Sequence, residues 1–523
     1  MEMLAGIEQQ RKQQRKKRKM RDCSINNNTS CSSLTSLPTE ILIDILFRLP
    51  VSSLFCIRCV SKTVLNIVDC PSFVTLHTQR LLTAQATQNN FDDVNHDQVP
   101  KLMHMDHRTT TAEYCAFQSV EYDDNKNAFT HKEDDATAPP EFGPPPPRPD
   151  GCYDKFEFVF CNLLCYRFFG NPESDTIRFE EPCILVNPLR REVLVLPTTT
   201  NAQLPASCPK DSVLDWLAMG LDNVTNRLKI VRVSGNKDYS SQLVAQVHVL
   251  GTNSWREVDS VPPCNLSVKK LYAYGDMHWL VWSEYEYPIN DDNGEDDDKY
   301  YDDDNNNNYD DADDYYDYDD DDPIKRALSI VSFDFSKEEF HQRIPPPKYF
   351  GDRYKYFDCG DRPPAELEGA CKNYLFQLHL VNLRGYMALV DASSWDHIEI
   401  WVLRNYHDKN QEWSLEYMVE TTIIYRRDTP FYHARFPLYC YQWAHGIFFN
   451  QHGGAACSTY FLDLRSGSTK KAKLFPSKSV RTSILSYIRS LISLRNYGSL
   501  VQGQPTTASI TSAEGKNLVY LMM

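Results

Sequence analysis

The sequence predicts an α+β multidomain protein, a small N-terminal three-helix unit followed by a large all-β C-terminal domain. Three observations predict it. Residues 34–82 carry apolar side chains at helical spacing. From about residue 151 to 478, short β-type runs alternate with turn residues. Within that half a strand–turn–strand unit recurs, which points to a repeat architecture.

The first element, residues 1–33, is polar and Asn/Ser-rich and is expected to be a disordered basic tail. Its tract "RKQQRKKRKMR", Arg11 to Arg21, is cationic at eight of eleven positions, a nuclear-import or nucleic-acid type of run. Phosphate binding by it would be electrostatic and blind to sequence, so nucleic acid is not an expected specific partner. The expected location is nucleus, cytoplasm or both. No apolar stretch follows the tract, so no secretory signal is expected. No run of about 18 apolar residues appears, so neither a transmembrane helix nor a membrane partner is expected. The 16 cysteines are then expected to stay thiols in a reducing compartment. Cys56 and Cys59 form a C-x-x-C without a second ligand pair, inside a helical pattern. A buried helix face is expected there rather than zinc.

The helical unit centres on "SLPTEILIDILFRLPVSSLFCIRCVSK", Ser36 to Lys62. Ser36 or Thr39 can cap a first helix that tolerates Pro38 in its first turn and ends at Pro50. Ile41, Leu42, Ile45 and Leu49 make one stripe, and Ile43 with Phe47 makes another on a different side. Ser52 or Ser53 can start a second helix with Leu54, Ile57 and Val60; a third carries Val64, Leu65, Ile67 and Val68. One stripe suffices for so small a core. The surplus apolar surface needs a partner, at roughly 1.5–3 kcal/mol per large side chain buried.

Leu37-Pro38-x-Glu40-Ile41-Leu42, then Ile45-Leu46, Leu49-Pro50-Val51 and Val60-Ser61-Lys62, resembles the F-box. The resemblance implies docking on a Skp-type adaptor and, through it, on a cullin–RING ubiquitin ligase. Carried over by motif, the adaptor-facing candidates are Leu37, Pro38, Ile41, Leu42, Ile45, Leu49, Pro50, Leu54 and Val60. The family commonly has a tryptophan two residues after the lysine. Val64 stands there, which implies a smaller patch of internal core.

Residues 83–150 finish in "PPEFGPPPPRPD" and are expected to be a stiff Pro-rich linker. The β domain is placed at 151–500, with a disordered acidic insertion at 288–324 and a tail at 501–523. Between Asp291 and Asp322 stand 18 acidic residues and one lysine, so this run accounts for the chain's net charge of −16. Such a run repels itself and buries little. It lacks the spaced D-x-D-x-D-G pattern of a calcium loop. A basic, histone-like tail would suit it as a partner.

The repeats are "ILVNPLRREVLVLP" from Ile184, "VHVLGTNSWREVDSVP" from Val247, "SIVSFDFSKEEFHQRIPPP" from Ser329, "IEIWVLRNYHDKNQEWSLEYMV" from Ile398 and "TYFLDLRSGSTKKAKLF" from Thr459. Strand pairs such as "YAYGDMHWLVW" and "LRGYMALVD" precede several of them. Four strands per unit with a hairpin outermost predicts a β-propeller; a β-sandwich is the alternative, because alternation alone does not fix closure. A helix-like piece, "SVRTSILSYIRSLISLRN", follows. In order, these blocks resemble the F-box-associated domain of plant F-box proteins, with "MGLDNVTNRLKIVRV" as an Asp-containing turn and Tyr487–Leu494 as the closing segment. Two departures stand out: the acidic insertion, and Leu163 where the family has a glycine.

No G-x-S-x-G, H-E-x-x-H, P-loop or G-x-G-x-x-G occurs, and no catalytic residue, metal site or cofactor is assigned. His278 beside Trp279 is expected to be structural. Trp255, Trp279, Trp401 and Trp413 are expected at strand positions, wedged between blades. Together with the resemblance, these readings imply a non-catalytic substrate-recognition subunit of a Skp–cullin–F-box ubiquitin ligase, whose β domain binds a target protein. The alternatives are a chromatin- or histone-associated module using the acidic run and basic tail, and a copper propeller enzyme of the galactose-oxidase kind with His and Tyr ligands.

Overall fold

A computed structural model describes residues 37–87, 100–106, 116–123, 128–131, 153–169, 183–198, 213–236, 239–285, 325–341, 344–347, 377–383, 385–394, 397–406, 411–420, 438–443, 446–453, 456–472 and 482–500. The basic tract, "PPEFGPPPPRPD", the acidic run and the tail beyond 500 lie outside the described residues. The chain divides into two compact units, 1–73 and 74–523.

The first unit holds α1 (Thr39–Arg48), α2 (Val51–Ile57), α3 (Lys62–Val68) and the start of α4 (Pro71–Thr87). Four helices stand where three are expected, because Pro71 has a backbone pre-set for a helix's first position. The prolines also displace the expected caps. Pro38 and Pro50 are the N-cap residues of α1 and α2, with no side-chain cap at either. α3 has a side-chain cap, Ser61 Oγ accepting the Val64 N–H at 3.2 Å. Leu42, Leu46, Val51, Leu54, Val64, Val68 and Phe73 are buried, so Val64 does fill the interior. Phe73 meets the edge of Phe47 with ring centroids 6.3 Å apart, and Arg58 pairs with Asp69 at 2.6 Å.

The second unit is built from six four-stranded antiparallel sheets. From the inside outwards, blade 1 is Thr482–Tyr487, Lys101–Asp106, Ala116–Asp123 and Ala128–His131. Blade 2 is Tyr153–Phe160, Leu163–Phe169, Cys183–Asn187 and Glu192–Val195. Blade 3 is Val213–Asp222, Arg227–Asn236, Tyr239–Val249 and Arg256–Val258. Blade 4 is Lys270–Ala273, Asp276–Tyr285, Lys325–Asp334 and Glu339–Phe340. Blade 5 is Leu378–Leu383, Tyr386–Asp391, His397–Arg404 and Glu412–Glu420. Blade 6 is Leu438–Trp443, Gly446–Gly453, Ala456–Asp463 and Ser468–Ala472. Each innermost strand lies beside the next blade, and Thr482–Tyr487 adjoins both blade 6 and blade 2. The ring closes, which makes a propeller and sets the sandwich aside.

Two sequence expectations need correction. The segment read as linker supplies three strands of blade 1; its short runs are diluted by polar neighbours, and pairing with the C-terminal strand decides their state. The helix-like piece is that strand, Thr482–Tyr487, followed by extended chain and a short 3₁₀ turn, Leu494–Asn496. Its apolar residues fit helical spacing, but the partner strand settles the outcome. The five quoted repeats form the outer hairpins of blades 2 to 6.

One turn recurs at the outer hairpins of blades 2, 4 and 6 and at the inner hairpin of blade 3. Asn187, Asp222, Asp334 and Asp463 each turn a side-chain oxygen onto following backbone N–H groups. Four residues later the chain takes positive φ, at Arg191 (55°), Asn226 (55°), Glu338 (60°) and Gly467 (66°). The core lies between blades: Trp216, Val231, Trp279 and Phe333 join blades 3 and 4, while Ile400, Val402, Phe449 and Leu462 join blades 5 and 6.

Candidate functional site

On α1 the buried stripe is Leu42 and Leu46, four residues apart. Ile41 and Ile45 flank it on one side at 50% and 37% exposure, and Ile43 flanks it on the other at 40%. Val60, in the turn after α2, is 78% exposed. Pro38 is exposed, and Leu37, Leu49 and Pro50 are half-buried. Leu42 and Leu54 depart from expectation: at 3% and 0% exposure they offer no surface to a partner. Ile43 was absent from the candidates although its stripe was legible. The surplus apolar side chains of this helix are thus uncovered.

Cys56 and Cys59 are exposed free thiols, not a buried helix face. The turn after α2 ends the periodicity on which that expectation rested.

On the propeller, His278 is a packing residue, as expected. His278 is fully buried, with Nδ1 2.6 Å from Ser332 Oγ and Nε2 3.0 Å from the Ala273 carbonyl. A carbonyl only accepts, so Nε2 carries the proton and Nδ1 accepts from the serine. Burial pulls its pKa down to about 4. Trp279 and Trp401 pack in the inter-blade cores as expected. Trp255 precedes its strand instead of lying in it. Its Nε1–H reaches back to the Pro197 carbonyl at 2.7 Å, and that of Trp413 reaches Pro345 at 2.9 Å. Both tie an outer strand to the preceding blade.

Buried charges also cross blade boundaries. Asp215 accepts from Arg167 and Arg232, each at 2.5 Å, and the two guanidiniums hold its carboxyl below the usual range despite burial. Lys229 bridges Asp222 at 2.6 Å and Glu338 at 2.7 Å. Asp276, Asp334 and His341 bring three donor atoms within 4.8 Å of one another at one end of blade 4. Asp334 already caps its turn there, and Tyr406 donates to Asp276 at 2.7 Å. Tyr274, stacked on Tyr406, donates to the Leu403 carbonyl at 3.1 Å and accepts from the Met387 N–H at 2.9 Å.

Residues 176–494, more than half of the 523, match the profile described as the F-box associated beta propeller domain. The chain belongs to that family. Residues 34–76 of this F-box associated propeller protein match the F-box domain. No curated protein matches it. Among solved structures, the acylaminoacyl peptidase of Pyrococcus horikoshii is similar at 10% identity and a TM-score of 0.27, over 61% of this chain and 39% of that one. A second structure, of an acylaminoacyl peptidase in complex with a chloromethyl ketone, gives 11% and 0.27, with the same shares covered. A protein from Lactobacillus plantarum gives 8% and 0.30, over 74% of this chain and 99% of that one. The chain thus spans about two fifths of the peptidases' length.

Proposed function

We propose that this chain is the substrate-recognition subunit of a Skp–cullin–F-box ubiquitin ligase. The observation that supports it most is the division of α1 into a buried stripe, Leu42 and Leu46, and an uncovered one, Ile41 and Ile45. Leu37, Pro38, Leu49, Pro50 and Val60 complete the proposed adaptor face. The propeller holds the target protein, and the chain makes and breaks no bond itself. Its contribution is positional, raising the local concentration of the ubiquitin donor around target lysines. Nucleus or cytoplasm is the proposed location, on the strength of the basic tract.

Co-purification with a Skp-type adaptor tests this reading. Wild type retains the adaptor and the Leu37→Ala/Pro38→Ala variant loses most of it; equal recovery of both contradicts the proposed face.

A further inference from the structure

The C-x-x-C of the helical unit has a place in the structure that its expected burial would have denied it. Cys56 lies in the last turn of α2 and Cys59 in the turn that follows. The Cys59 N–H donates to the Cys56 carbonyl at 3.3 Å, and the Val60 N–H to the Ile57 carbonyl at 2.8 Å. These are the i to i+3 bonds of a 3₁₀ turn, in which side chains three residues apart lie one above the other. With a rise of about 2 Å per residue the two Cα atoms stand about 6 Å apart. That lies inside the span of roughly 4.4–6.8 Å that a disulfide bridges. Both thiols are open to solvent.

We propose that Cys56 and Cys59 are an oxidative modification site, a dithiol that closes to an intramolecular disulfide under a peroxide. One thiol attacks the peroxide, breaks the O–O bond and becomes a sulfenic acid with loss of water. The second displaces its hydroxyl as another water. Two S–H bonds and one O–O bond break, one S–S bond forms, and the sulfurs are oxidised as the peroxide is reduced. A monothiol of the glutathione class reverses the step by exchange. Val60 directly follows Cys59, so closure fixes the turn that presents it; this consequence rests on the adaptor reading above, whereas the chemistry does not.

Arg58 stands between the two cysteines, which gives a direct assay. The full chain is treated with hydrogen peroxide under native conditions, alkylated and digested with trypsin without reductant. Cleavage after Arg58 separates residues 49–58 from 59–62 unless a disulfide joins them. The expected product is the joined pair, released by dithiothreitol and absent from Cys56→Ser. Separate alkylated peptides, or oxidation confined to Cys70, would overturn the site. Adaptor affinity is then measured on both forms. About a tenfold loss is expected on oxidation of wild type and none in Cys56→Ser/Cys59→Ser; equal affinity of the two wild-type forms overturns the coupling to docking. A reduced chain that never binds adaptor refutes the adaptor reading and the coupling with it, while the joined peptide still decides the site.

Discussion

Glu192, in the outer strand of blade 2, accepts the Leu494 backbone N–H at 2.6 Å, across 302 residues of sequence. Its other oxygen accepts from Ser493 Oγ at 2.9 Å, and Glu192 is 3% exposed. Around this clasp Asn187 Nδ2 donates to the Ile492 carbonyl at 2.7 Å, and Arg190 donates to Leu491 at 3.0 Å. After completing blade 1, the chain's closing segment is therefore fastened onto blade 2.

Glu192→Ala leaves the Leu494 N–H and the Ser493 hydroxyl buried without that acceptor, at about 1–3 kcal/mol each. The expected result is a lower thermal midpoint and faster hydrogen exchange at residues 482–496, with Glu192→Gln intermediate. Wild-type exchange in the alanine variant would show that the clasp does not hold the ring.

Gly220 lies against Phe335 of the next blade, and a Cβ there would meet the ring at 2.1 Å. Phe335 is itself fully buried, so it has little room to retreat. Gly220→Ala is expected to cost about 1–3 kcal/mol by overpacking, read by denaturant titration. Gly220→Ala with Phe335→Leu should recover part of the loss.

His278 sets a pH dependence. Its folded pKa is about 4 against an ordinary 6.5. Below pH 6.5 the unfolded chain binds a proton that the folded chain refuses until about pH 4. Stability is therefore fully present above 6.5 and falls as the pH drops through that window, with His248, also lowered by burial, adding to the slope. Denaturant midpoints measured from pH 7 to pH 4 should give a shallower slope in His278→Gln than in wild type; parallel slopes would contradict the assignment.

Both nitrogens of His278 and the hydroxyl of Tyr274 are taken up by protein groups. Neither group is therefore free to ligate copper, and elemental analysis of purified protein tests the enzyme alternative at the remaining His and Tyr residues. One copper per chain would favour the enzyme alternative.

The legible parts of this fold were those written in local chemistry. The Asn and Asp turns carry their own instructions, which is why the outer hairpins of blades 2, 4 and 6 stood out in the sequence. Blade 1 did not, because Thr482–Tyr487 and Lys101–Asp106 become strands by pairing with each other from distant parts of the sequence. Prolines outranked the serine and threonine caps for a similar reason: they fix the entering backbone whatever side chains stand nearby. At the proposed docking face, periodicity located α1, but which of two overlapping stripes is covered depends on what packs against it. That is why Leu42 was placed outside and Ile43 was missed.

Calorimetric titration of a Skp-type adaptor into wild type and Ile41→Asp/Ile45→Asp tests the central claim most directly. Both isoleucines are exposed, so the variant should keep its fold, checked by an unchanged circular dichroism spectrum and melting midpoint. Losing two buried side chains at about 1.5–3 kcal/mol each predicts binding weaker by roughly a hundredfold or more. Equal affinity in a folded variant, or no binding heat with wild type, would contradict it.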